Sequence, residues 1–259
     1  MKCEIRKELR YALRSGRILI VFAGFMFFAL LTPIMLKVVL PQVLKNQLVS
    51  GTVQNIEGII GMTQVGCIQS YMGDVFEMGT ILIAFALCGL TASEVRGSTW
   101  VLPLCAGKKF GHMLGAKLIV FGALMVMVPI LAMLADYGYS GLLFGFEVGI
   151  SPVLYAGLLQ GIYMLFLLSC LLLWGVMMKK PIPAGFSTLV TAYGIHFISS
   201  LVGAQTWTPS GLLAEAQKLE PVFTPSLVVP LAVTLLLIVL MMALTLLRLQ
   251  RMEWNVRNA

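Results

Sequence analysis

Charge is what this chain has least of: 11% of its residues are Asp, Glu, Lys or Arg, against 59% that are hydrophobic. A soluble domain needs about 25% charged residues to cover its surface, so that class is excluded. Histidine is scarcer still. His112 and His196 fall on different segments, with no carboxylate or thiol at ligand spacing, so no metal site is expected. Cys3, Cys67, Cys88, Cys105 and Cys170 show no paired spacing, and no intrachain disulfide is expected. A nucleotide-binding GxxxxGK[ST] is missing. Its nearest approach, Ala106-Gly107-Lys108-Lys109, lacks the upstream glycine and the Ser or Thr after the lysine. HExxH, internal repeats and low-complexity tracts are missing too. Ser140-Gly141 with His196 is too weak a signal for a serine–histidine pair, because small residues are common packing positions in membrane helices. No catalytic residue and no cofactor are expected on this chain.

What is present is apolar length. Runs at 18–36, 71–92, 114–134, 152–178, 184–204 and 227–247 are each long enough to cross a hydrocarbon core, which takes about 20 residues. Backbone groups in lipid must be satisfied within the segment, so the runs are predicted helices. The strands of a membrane barrel would interleave polar residues at every second position. The predicted fold class is an all-α membrane protein with six transmembrane helices.

The basic residues orient it. Fifteen of the eighteen Lys and Arg precede the first run or follow the second, fourth and sixth; Lys37, Lys45 and Lys218 are on the other side. The positive-inside rule then predicts both termini in the cytoplasm and Cys67 alone outside. The net charge of +7 is a topology signal and does not call for nucleic acid. The first run is expected to stay as a signal anchor, since Pro33, Lys37 and Pro41 follow it and no small-x-small cleavage site does.

Residues 1–17 are predicted as an interfacial amphipathic helix. Ile5, Leu9, Ala12 and Leu13 recur at helical spacing, with Arg6, Lys7, Arg10, Arg14 and Arg17 on the other side. Six cations less Glu4 and Glu8 contribute about 4 kcal/mol near an anionic leaflet, at roughly 1 kcal/mol each. Residues 18–259 form the six-span domain, with outer loops at 41–70, 135–151 and 205–225. The first of these is too short for a domain of its own and is expected to be a small cap or a partly embedded helix. The third contains Pro209, Pro221 and Pro225, and is expected to hold a short amphipathic turn or re-entrant hairpin.

Ionisable residues inside spans are functional candidates by default. Asp74 and Glu77 sit three apart, expected on one face near the outer end of span two, where they would line a cation-attracting vestibule. His196, with Ser199 and Ser200, is expected to pack between helices as a hydrogen-bonding group, with a pathway role as the sharper alternative. Asp136 and Glu147 flank an aromatic outer loop, and solvation accounts for them. Pro33 and Pro129 are expected to kink their spans.

The richest segment is the loop at 93–113. It is long, amphipathic and basic, more than a membrane hairpin needs to turn, and it suggests a docking surface for a soluble protein. Glu94, Gly97, Thr99, Leu102, Gly115 and Lys117 fall in the order seen in the permease subunits of type-2 ATP-binding-cassette transporters, mostly bacterial exporters, which the chain resembles. The basic amphipathic start and Thr208-Pro209-Ser210-Gly211-Leu212-Leu213 also resemble that family. The family's Pro-x-Ser-Arg core stands here as Cys105-Ala106-Gly107-Lys108-Lys109, with the proline displaced to Pro103.

The resemblance implies a translocation pathway formed by two six-span copies, identical or related, in a bacterial inner membrane. It also implies a separate ATPase that binds ATP and Mg and is gripped through residues 93–113. Glu94, Arg96, Gly97, Thr99, Trp100, Leu102, Lys108, Lys109 and Phe110 would carry that contact. Exposed ion pairs contribute about 0.2–1 kcal/mol each, so Trp100, Val101, Leu102 and Phe110 are expected to be the anchors, with Trp100→Ala costing more than Lys108→Ala. The alternatives are a secondary transporter and a membrane-embedded enzyme.

Overall fold

The computed structural model describes residues 2–39, 41–42, 63–219 and 225–252, and among these it contains helices and no strand. Six helical segments are long and apolar enough to cross a membrane: Arg17–Val39, Gln64–Arg96, Phe110–Phe144, Ile150–Met178, Pro181–Val202 and Ser226–Arg251. The protein is a multi-pass, all-α membrane protein.

The basic start folds as α1 (Lys2–Arg14). Gly16, in the left-handed region at φ 66°, turns the chain into α2 (Arg17–Ile34), a conformation a side chain would disfavour. Pro33 lies in the last turn of α2, and a π-helical turn, Met35–Val39, follows it. The second span is segmented into α3 (Gln64–Asp74), a π turn (Val75–Gly79), α4 (Thr80–Ala86) and α5 (Gly89–Arg96). After α6 (Val101–Cys105) come α7 (Phe110–Phe144) and α8 (Ile150–Met178), joined by five residues. Lys179, left-handed at φ 55°, and Lys180 make the tight turn into α9 (Pro181–Val202), which opens on a proline whose missing N–H costs nothing there. A 3-10 turn at Gln205–Trp207 leads to α10 (Pro209–Gln217), the short helix expected in the third outer loop. The last span is α11 (Pro225–Arg251).

Two boundaries move. The loop expected at 135–151 is mostly helix, because α7 runs to Phe144 and leaves only residues 145–149 between spans. At 35 residues, α7 is about 52 Å long at roughly 1.5 Å per residue, so its ends reach beyond the hydrocarbon. The cap or embedded helix expected over 41–70 lies mostly outside the described residues, and its final part belongs to span two, which begins at Gln64. Lys45, Arg257 and the 220–224 part of the third loop also lie outside them.

The spans pack around α8, which touches α7, α9, α10, α11 and α5 and is the most buried span. Gly157 and Gly161, one turn apart on α8, allow this against α7. A Cβ at Gly157 would stand 3.2 Å from the Ile130 Cα, and one at Gly161 3.0 Å from the Val126 Cα. Small residues at that spacing let membrane helices approach closely. The opposite arrangement holds for α9 and α11, whose apolar side chains face mostly outward.

Candidate functional site

The densest set of charged contacts is at the end of the bundle that carries α1. We call this the basic end, since Arg96, Lys108, Lys109, Lys179 and Lys180 are there. The last turns of α11 reach it as well, with Leu246 and Gln250 bordering a groove floored by Leu104, Phe110 and His112. Here α1 folds back on the bundle through a stripe one helical turn apart, Glu4, Glu8 and Ala12, with Ile5 and Tyr11 beside it. Leu9 and Leu13 remain 42% and 69% exposed, free to meet lipid. The helix expected to lie flat on its apolar stripe therefore has a second, acidic edge turned inward.

That edge meets Lys117. Its side chain is 1% exposed, and its ammonium donates to Glu8 Oε2 at 2.9 Å and to Glu94 Oε1 at 3.2 Å. Trp100 Nε1 donates to the other Glu94 oxygen at 2.7 Å, so both are engaged. The rings of Tyr11 and Phe121 stand 5.7 and 5.8 Å from the ammonium, within cation–π range. Arg17 brings a second cation to the layer, over the Tyr11 ring and beside Gly89. Three parts of the chain are thereby tied together: α1, the end of span two with the 97–100 turn that follows it, and the start of span three. Burying ions is costly unless they are paired and hydrogen-bonded, and these are.

The 93–113 loop is folded on this knot. Gly97 N and Thr99 N donate back to the Ser93 and Glu94 carbonyls at 2.9 and 3.1 Å, a tight turn off the end of α5. After α6, Gly107 turns at φ 78°. Trp100 lies 6.1 Å from the Phe110 ring, centroid to centroid. Between α1 and the loop is a cavity of about 290 Å³, lined by Cys3, Glu4, Glu8, Trp100, Pro103 and Met113, among others.

The candidate residues therefore separate into two groups. Arg96, Gly97, Thr99, Leu102 and Lys109 are exposed, and Leu102, at 81%, is the outermost apolar side chain of α6. Glu94 is held inside by Lys117 and Trp100, Phe110 packs partly against the core, and Lys108 pairs with Glu4 at 3.0 Å. Trp100 is the correction. Expected as an exposed anchor, it is 2% exposed, because its N–H finds a carboxylate six residues back and the ring follows it inward. Glu4 and Glu8 were not singled out as site residues. Their signal is two acids four apart in an otherwise basic helix, in register with Ala12.

The three candidate pathway residues are divided as well. Asp74 and Glu77 lie ten and thirteen residues inside span two, deeper than expected, and do not share a face. A π turn begins between them and shifts the helical phase. Asp74 Oδ2 lies 2.7 Å from the Thr32 hydroxyl of α2, whereas Glu77 is exposed on the flank, its backbone carbonyl accepting from Tyr193 of α9 at 2.5 Å. His196 joins the Glu77 side. Its ring meets Phe76 at 4.9 Å, and Phe76 also touches Tyr163 and Tyr193. The hydrogen bond expected of the His196 ring is not found: Nδ1 has no partner among the described residues, and it is the backbone carbonyl that accepts from Ser199.

Asp136 is a second correction. Solvation was its expected state, but it is 0% exposed inside α7, while Glu147 is exposed as expected. Nearby, buried Gln64 pins the α7–α8 connection, accepting from Glu147 N and Val148 N at 2.7 and 3.1 Å and donating to the Tyr137 carbonyl at 3.3 Å. Among the described residues no group of three or more His, Cys, Asp or Glu is placed to hold a metal ion.

No protein-family model, curated protein or solved structure matches this chain.

Proposed function

We propose that this chain is the membrane-spanning permease subunit of an ATP-driven exporter of a bacterial inner membrane. Two such six-span subunits form the pathway, and each is gripped by a separate ATPase at residues 93–113, with the basic end in the cytoplasm. The observation that carries this reading is the joint at Lys117. A loop that only reversed the chain would have no reason to be locked, through a buried lysine, to α1 as well as to the start of span three. A loop that must transmit force does. ATP-driven closure of the partner would push α6, and the Glu94–Lys117–Glu8 links would pass that displacement to α1 and to spans two and three. The two nucleotide states must then make different contacts with α6, because only a differential contact shifts an equilibrium.

Exposed Leu102 is the apolar knob this contact would use, flanked by Arg96 and Lys109. The pathway between two copies would pass the flank bearing Glu77, since a carboxylate exposed midway along a span is costly against lipid and is suited to a partner surface or an aqueous lumen. Affinity purification of this chain from its native membranes in mild detergent, with an ATP-hydrolysis assay on the complex and a search of the co-purifying proteins for GxxxxGK[ST], tests the reading. Leu102→Asp is expected to weaken association by more than about tenfold, or 1.4 kcal/mol. An unchanged complex, or transport at full rate by the chain alone in vesicles, overturns it.

A second reading, an ion-gradient-driven transporter, is favoured by one observation, the fully buried Asp136 within a span. Transport that follows an ion gradient with no ATPase present would select it.

A further inference from the structure

The least buried of the six spans is α11, and two hollows follow one another along it. The first, of about 530 Å³, is lined by Leu235, Leu236, Val239, Leu240 and Ala243, with no polar side chain among them. The second is the groove at the basic end, of about 410 Å³, where Leu246 and Gln250 face Lys109, Phe110 and His112. Both hollows belong to one side of the helix. Leu235, Val239, Ala243, Leu246 and Gln250 recur at steps of four, four, three and four residues, the spacing that lines a single helical face. The apolar hollow therefore leads toward the basic one.

The charge at the basic end is of one sign. Lys108, Lys109 and His112 line the groove, and among the described residues no acid does. Lys108 is committed to Glu4 at 3.0 Å, whereas Lys109 is exposed and has no acidic partner among the described residues. The last turn of α11 adds Arg248 and Arg251 at the same level. Basic pockets between the ends of membrane helices suit anionic headgroups.

Length narrows the occupant further. Leu235 and Leu246 are eleven residues apart, about 16 Å at roughly 1.5 Å per residue. One leaflet is half of a hydrocarbon core about 30 Å thick. An apolar path one leaflet deep that ends among cations matches a molecule with acyl chains and an anionic head. A soluble anion has no use for the apolar path, and an acidic protein segment would have to enter lipid to follow it.

We propose that this face of α11 is a binding site for one anionic phospholipid, its phosphate against Lys109 and His112 and its chains along Leu235 to Leu246. In the protein α11 packs mainly on α8 and α10, so the lipid would bridge it to the start of α7. The inference goes beyond the exporter reading and does not rest on it. It requires only that the basic end face one surface of the membrane.

Native mass spectrometry of the full chain, released from detergent micelles titrated with phosphatidylglycerol, resolves each bound lipid and tests the site. Wild type is expected to take the first phosphatidylglycerol more tightly than later ones, and more tightly than phosphatidylcholine. One cation near an anionic lipid corresponds to about fivefold in affinity, so Lys109→Ala should weaken the first step by about that factor. Ala243→Trp keeps every cation and fills the apolar path from an exposed position, and should weaken that step at least as much. Lys180→Ala, at the α8–α9 turn, should leave it unchanged.

Equal affinities for successive lipids, or an equal loss in Lys180→Ala, would mean diffuse attraction and overturn the proposal. So would a Lys109→Ala or Ala243→Trp chain that binds as wild type does. Displacement of the first lipid by inorganic phosphate would reduce the site to a pocket for soluble anions. A dimer that takes up no lipid would make the face a contact between copies. Either result overturns the proposal, and with no ATPase present none of these outcomes bears on the exporter reading.

Discussion

Each half of this bundle draws two carboxylates wholly or partly inside it, and the two sets are completed differently. At the basic end Glu8 and Glu94 close on Lys117 from opposite sides, with Trp100 filling the last acceptor position. In the remote half Asp74 meets the Thr32 hydroxyl, and the Asp136 carboxylate has no hydrogen-bond partner among the described residues. A lysine is a charge that cannot leave, so the first pair is a permanent joint that fixes α1 and the 93–113 loop to the spans. Neither remote acid has a cationic partner among the described residues. The same chemical group is therefore tied to other segments where a lysine meets it and left without that tie where, among the described residues, none does.

The sharpest way to break this comparison is to make the first pair resemble the second. Lys117→Met leaves two buried carboxylates facing one another without a cation. Removing one partner of a buried ion pair costs about 3–5 kcal/mol. The thermal midpoint in detergent should fall steeply, and α1 should become accessible to protease. Adding Glu8→Gln to that variant should recover part of the loss, because one orphaned charge is gone, and the non-additivity measures the coupling directly. Equal losses for the single and the double variant would show that Lys117 acts through packing alone.

The joint was only partly legible in the sequence. The six spans stand out because about 20 apolar residues have no other use, and α1 because its cations alternate with an apolar stripe. The partners Glu8 and Lys117 are 109 positions apart, and no periodicity links an acid on one helix to a lysine on another. Asp136 was hidden for a related reason. A charge at the edge of an apolar run reads as the end of the span, yet α7 continues to Phe144 and takes the carboxylate inside. The π turn after Asp74 leaves no compositional mark, so the expected shared face of Asp74 and Glu77 was unavoidable from spacing. Trp100 misled through its type: an aromatic in a basic loop looks like an anchor, and only the proximity of Glu94 turns it inward.

A gentler change separates the parts of the joint. Trp100→Phe keeps most of the buried ring and removes the N–H that reaches Glu94 Oε2 at 2.7 Å. Hydrogen bonds to charged groups contribute about 1.5–3 kcal/mol. The midpoint should fall by less than in Lys117→Met, since Glu94 keeps the ammonium. Equal effects would place the strength of the joint in the Trp100 contact instead of in the lysine.

The smallest effect is expected at the rim of the same cluster. Lys108 reaches Glu4 at 3.0 Å, but its side chain is 41% exposed, so water and salt screen the pair. Lys108→Ala should therefore change stability by about 0.2–1 kcal/mol, and the difference should vanish as ionic strength rises. Lys117→Met, buried two turns away, should be nearly indifferent to salt. Both lysines reach glutamates of α1 and differ mainly in burial, so this pair of measurements isolates what burial does to a charge. If Lys108→Ala destabilised the protein as much as Lys117→Met and kept that effect in high salt, the division between a fixed inner joint and a screened rim would be wrong.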